Sequence, residues 1–98
     1  MTETQTSAAK HLAVYDAANA AAAHLKSLSS HGLMGEEIAD IRLEEVELTE
    51  DESRWLITLG FTRPADNQFI PTMVQREYKR FEIDAVTGEV KAMKIRTV

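Results

Sequence analysis

Three imidazoles, at His11, His24 and His31, are the residues of this 98-residue chain best suited to hold a transition metal or move a proton near neutral pH. A zinc site built on one helix needs ligands three or four residues apart on a common face. None of the three pairs has that spacing: His11 and His24 point in different directions, and His24 and His31 share a face but lie roughly 10 Å apart at 1.5 Å per residue. The densest oxygen-bearing run, Glu44, Glu45, Glu47, Glu50, Asp51 and Glu52, lacks the alternating ligands, central glycine and terminal glutamate of a calcium loop. It reads as a solvated strand face and turn. Ser27, Ser29, Ser30 and Ser53 have no nucleophile-elbow context, and with no cysteine the nucleophiles reduce to unactivated hydroxyls. Gly32 and Gly35 are followed by no Lys-Ser/Thr and cradle no phosphate; they turn the chain. Tyr15 with Asp16, and Asp84 near Tyr78, are explained by helix and turn chemistry before acid-base chemistry. The expectation is therefore no catalytic residue, no metal and no cofactor.

The elements that carry those side chains belong to a chain long enough for one core and too short for two. Hydrophobic residues at 44% and charged residues at 28% place it with globular domains. A net charge of −5 argues against general nucleic-acid binding. Without cysteine there is no disulfide frame, and no signal sequence or apolar run of the roughly 20 residues that span a bilayer is evident. The expected location is the cytoplasm. Residues 1–6 read as a flexible tail and 7–98 as one domain.

Thr4, Thr6 and Ser7 offer capping oxygens, and the alanine-rich segment from Ala8 to about Ser29 predicts a long helix ended by His31-Gly32. Leu12, Tyr15, Ala18, Ala22, Leu25 and Leu28 fall on one helical stripe, the expected packing face. From Ile41 to Leu48 the apolar parity slips between Leu43 and Val46, which predicts a bulge near Glu44-Glu45. Trp55, Ile57, Leu59 and Phe61 alternate on one face of a second strand. Pro64 and Pro71 bracket a long connection carrying Phe69 and Ile70. A third strand runs back from Ile83 toward Met73, and a fourth spans Glu89 to Arg96.

The last two strands form a hairpin whose facing residues agree. With Gly88 in the left-handed conformation of a G1 bulge, Ala85 faces Glu89, Phe81 faces Met93, Lys79 faces Ile95, Glu82 meets Ala92 and Tyr78 meets Arg96. The expected fold is α+β: one long helix packed on a four-stranded antiparallel sheet in the order α-β-β-β-β. Leu12, Tyr15 and Leu25 would lie against Val46, Leu48, Trp55, Ile57, Leu59, Phe61, Phe81, Ile83, Met93 and Ile95.

The segment Tyr78-Lys-Arg-Phe-Glu-Ile-Asp-Ala-Val-Thr-Gly-Glu-Val90 resembles the end of PepSY-type domains, where an Asp-x-x-Thr-Gly-Glu-Val-like turn joins the last strands. More loosely, Glu44 to Leu48 with Trp55 to Phe61 looks like the preceding hairpin of small bacterial PepSY-like proteins. The resemblance implies a helix on an antiparallel sheet and a role in binding or restraining other proteins, and it carries over no catalytic residue. The expected function is a non-enzymatic protein-binding or regulatory module. Its partner surface would be the sheet face opposite the helix, where Leu56, Thr58, Tyr78, Val90 and Ala92 make a semi-apolar patch that a second subunit could cover, with Phe69 and Ile70 on the flanking loop. The alternative is a small ligand-binding protein or enzyme with a pocket between helix and sheet, lined by Tyr15, Trp55 and Phe69.

Overall fold

A computed structural model describes residues 11–35, 37–64 and 74–97. Helix α1 (Val14–Ser30) is followed by β1 (Ala39–Leu48), β2 (Arg54–Pro64), β3 (Val74–Asp84) and β4 (Val90–Ile95). The strands form one antiparallel sheet in the order β1-β2-β3-β4, with α1 on one face. This is the α+β arrangement read from the sequence. The cap residues Thr4, Thr6 and Ser7, the tail 1–6, and Phe69 and Ile70 lie outside the described residues.

The helix begins at Val14, later than the composition suggests. Leu12 is held in the sheet's frame instead: its N–H donates to Ala85 O at 2.7 Å, and its carbonyl accepts the Trp55 indole N–H at 3.1 Å. Ala13 is extended at φ −64°, ψ 153° and caps without a side-chain hydrogen bond. At the other end the stop is the expected one. Gly32 at φ +75° donates to Ser29 O, and Leu33 donates to Leu28 O at 2.9 Å, the paired bonds of a Schellman cap.

The buried helix residues are Ala17, Ala21 and Leu25, one i, i+4 row. Tyr15, expected in the core, is 63% exposed. The sheet supplies the bulk in Phe61, Phe81, Ile57 and Ile83, so the helix must come close and presents its alanines to do so. Each large side chain buried there contributes about 1.5–3 kcal/mol. Two further core assignments fail at the flanks, because one helix is narrower than four strands: Ile95 on β4 is 79% exposed, and Val46 on β1 is also exposed.

The register matches the expected bulge, with Leu43 opposite Leu59 and Glu45 opposite Thr58, leaving Glu44 extra. In the last hairpin Phe81 faces Met93, Lys79 faces Ile95, Glu82 faces Ala92, and Arg96 N–H donates to Tyr78 O. Gly88 is left-handed at φ +81°. The pairing of Ala85 with Glu89 is corrected: Asp84 N–H donates to Glu89 O, while Ala85 is fully buried and its N–H donates to Ser53 O. A register shift between Glu82 and Ile83 then sets Ile83 opposite Val90.

Candidate functional site on the outer sheet face

Alternation along β2 and β3 divides the molecule. Ile57, Leu59, Phe61, Phe81 and Ile83 point to the helix, so the intervening residues project to the opposite, outer face. The register arranges that face in cross-strand rows. Glu47, Leu56, Glu82 and Ala92 form one row, and Glu45, Thr58, Arg80 and Lys94 the next; in a third, Arg42 lies opposite Gly60 and Gly60 opposite Tyr78, with Arg96 bonded to Tyr78. Of the proposed contact residues, Leu56, Thr58, Tyr78 and Ala92 lie here together. Val90 does not: the shift at Ile83 turns it to the inner face, where it packs against the core.

Charged side chains are laid between those residues. Glu82 accepts from Arg54 at 2.9 Å and pairs with Lys94 at 3.0 Å. Arg76 binds Glu44 at 2.8 Å and reaches Asp40, which also pairs with Arg42. Glu45 on β1 and Arg96, the residue just after β4, meet across the whole width of the sheet, through two bonds of 2.9 and 3.1 Å. Such a bidentate pair fixes orientation as well as distance. Beneath it Thr58 is only 1% exposed although α1 packs on the other face. Beside it Gly60 leaves room for Glu44 and Tyr78 to close over β2, since a Cβ there would stand 2.6 Å from Glu44 Oε2 and 3.0 Å from the Tyr78 ring.

These pairings set the ionisation of the face. The Arg96 guanidinium, with the Thr58 hydroxyl adding to it, holds the Glu45 carboxyl below its ordinary range. Lys94 and then Arg54 do the same for Glu82. Arg80 is the exception among these cations. Among the described residues it forms no ion pair and its buried Nε has no hydrogen-bond partner. A hollow of about 280 Å³ opens beside it, lined by Glu45, Glu47, Leu56, Thr58, Arg80 and Arg96. Glu47 is the carboxylate of that hollow without an ion pair among the described residues.

The other candidates lie apart. Among the described residues no group of three or more His, Asp or Glu side chains is placed to hold a metal. His24 stands edge-on to Phe81 and His11 edge-on to Trp55, with His11 Nε2 3.8 Å from Glu52. Asp51 organises the β1–β2 turn. Hydrogen bonds from the Ser53 and Thr49 hydroxyls and the Ser53 N–H lower its pKa from 3.8 to about 2. Asp84 accepts from the Val86 and Thr87 N–H groups, and Tyr78 points to the outer face. The pocket proposed between helix and sheet is not formed by the described members of its lining: Tyr15 faces solvent and the Trp55 N–H is spent on Leu12. Arg80 was missed in the sequence, although its position two residues from Tyr78 and Glu82 already put it on their face. Compared with known proteins, the chain matches no family model, no curated protein and no solved structure.

Proposed function

We propose that the protein is a non-enzymatic binding module that engages a protein partner through the outer face of its sheet. The observation that supports this most directly is Arg80. Its neighbouring cations on that face are already satisfied within the chain, so a partner gains little from them and must displace a carboxylate to use them. Arg80 is available at no such cost. Around it Leu56 and Tyr78 complete the mixture of arginine, aromatic and aliphatic groups that anchors protein interfaces. The resemblance of the last hairpin to PepSY-type domains, which bind or restrain other proteins, points the same way. We place the module in the bacterial cytoplasm, a reducing compartment compatible with a chain free of cysteine.

The test is capture from the native cell on immobilised protein, comparing the parent with Arg80→Glu, Leu56→Glu and, as a control in the exposed turn, Val86→Ala. Circular dichroism of each variant verifies the fold. The expected result is a protein retained in stoichiometric amount by the parent and Val86→Ala and lost from the two outer-face variants. Equal retention by all four would remove the outer face from the binding reaction.

A further inference from the structure

The outer face is divided by charge along its width. β1 contributes Glu44, Glu45 and Glu47, whereas β3, β4 and the residue just after β4 contribute Arg76, Arg80, Lys94 and Arg96. Two of these groups, Glu47 and Arg80, remain without an ion pair among the described residues, and they are of opposite sign. They also stand on opposite sides of β2. Glu47 is level with Leu56, and Arg80 is level with Thr58. With strands about 4.8 Å apart and a rise of about 3.3 Å per residue, the two are separated by about 10 Å across the sheet and about 7 Å along it, and their midpoint falls on β2 between Leu56 and Thr58.

From this arrangement, and resting on the outer face as the binding surface, we propose that the occupant is a second copy of the chain, docked face to face. The two-fold axis lies in the interface above that midpoint and sets each copy's Glu47 against the other's Arg80. Rotation about such an axis crosses the strands of the two copies steeply, so that β1 of one passes over β3 of the other where Glu47 meets Arg80, and the contact is made twice because the interface is isologous. Facing sheets stack about 10 Å apart, a gap that an arginine and a glutamate reaching toward each other can close. Leu56 lies beside the axis and meets the neighbourhood of its own mate, which supplies the apolar centre. Two open carboxylates or two open cations would have made the face repel a copy of itself; one of each makes it self-complementary.

Sedimentation analysis from micromolar to millimolar concentration tests the arrangement. The wild type is expected to form dimers. Glu47→Arg gives a face with two open cations, and Arg80→Glu gives one with two open carboxylates, so each variant alone should associate more weakly by about tenfold or more. An equimolar mixture of the two variants should recover the dimer. In the mixed pair both open cations lie on one chain and both open carboxylates on the other, so each of the two contacts again joins opposite charges. Circular dichroism ensures that both variants are folded; should Arg80→Glu fail to fold, Arg80→Gln and Glu47→Arg must still both weaken the dimer. A wild type that stays monomeric, or folded variants whose mixture associates no better than either alone, would overturn the second copy as occupant. Neither result would touch the outer-face reading, which the capture experiment decides independently.

Discussion

Ile57 and Thr58 are neighbours in sequence, and both are hidden from solvent, at 0% and 1% exposure. The reasons are opposite. Ile57 lies under a helix that brings alanines to it, and its burial rests on hydrocarbon contact that has no titrating group and no charge for salt to screen. Thr58 lies on the open face, under the long side chains of Glu45 and Arg96 joined from opposite edges of the sheet. Arginine and glutamate cover a surface with their aliphatic stems while keeping their charges in water. One sheet thus has a permanent cover on one face and a conditional one on the other, and the conditional cover is where a partner can enter.

The inner face should be the one that tolerates truncation least. Phe81→Ala removes a fully buried ring against which α1 packs, and it should cost about 3–5 kcal/mol. For a domain with about 5–15 kcal/mol in reserve this is a large part of the total. Urea melts should show the loss, whereas Leu56→Ala on the outer face should shift the midpoint far less. Similar losses for the two would mean that the outer face is also part of the core.

A second and smaller effect tests the hairpin joining the faces. Gly88 has φ +81°, and a Cβ there would lie 3.2 Å from Leu12 Cδ1. Gly88→Val should therefore cost about 1–3 kcal/mol, the range for a residue forced into sparsely populated backbone space. Val86→Ala, two residues away in the exposed part of the turn, should be nearly silent in the same urea melts.

The inner face is the more legible half in sequence because it follows a local rule. Period-two alternation from Trp55 to Phe61 predicts which side of β2 is buried, and the parity slip at Glu44-Glu45 predicts the bulge. Gly88 predicts its own conformation. The helix rotation escapes such reasoning: large residues nominate the stripe through Tyr15, but the space left by Phe61 and Phe81 selects the alanine row. Val90 escapes because one extra residue beyond the turn reverses its face. The outer face is legible only as a set of charges. That Glu45 should meet Arg96, 51 residues away and across four strands, follows from strand order and side-chain reach, which no local pattern records.

Acid should act on the paired carboxylates and spare the apolar core. Glu45 and Glu82 on the outer face, and Glu77 paired with Arg63 at 2.9 Å, all have pKa values below the ordinary 4.5, and Asp51 falls from 3.8 to about 2. A carboxyl whose folded pKa is depressed stabilises the fold fully above its unfolded value, and that contribution is lost as pH falls through the folded value. Stability should thus be flat from pH 7 to about 5 and decline from about pH 4.5 toward 2. Urea midpoints measured across that interval verify the sign. Glu82→Gln should flatten part of the decline, because Lys94 and Arg54 then have no carboxylate to lose. Phe81→Ala should lower the curve without changing its slope.

The smallest effect is the most informative about the outer cover. Arg96→Ala removes the bridge to Glu45, and exposed ion pairs contribute little to global stability, so the melting transition should barely move. The local consequence is different. Glu45 loses the guanidinium that is the main cause of its lowered pKa, with the Thr58 hydroxyl as the next contribution. Its carboxyl should therefore titrate closer to its ordinary range. Thr58, no longer roofed, should become accessible to solvent. Side-chain carboxyl NMR of Glu45 and solvent exchange at the Thr58 hydroxyl measure both changes on folded protein, and high salt acting on the parent should produce a weaker version of the same response. An unchanged Glu45 titration in Arg96→Ala would mean that the cross-sheet bridge does not persist in solution and that Thr58 is shielded by something else.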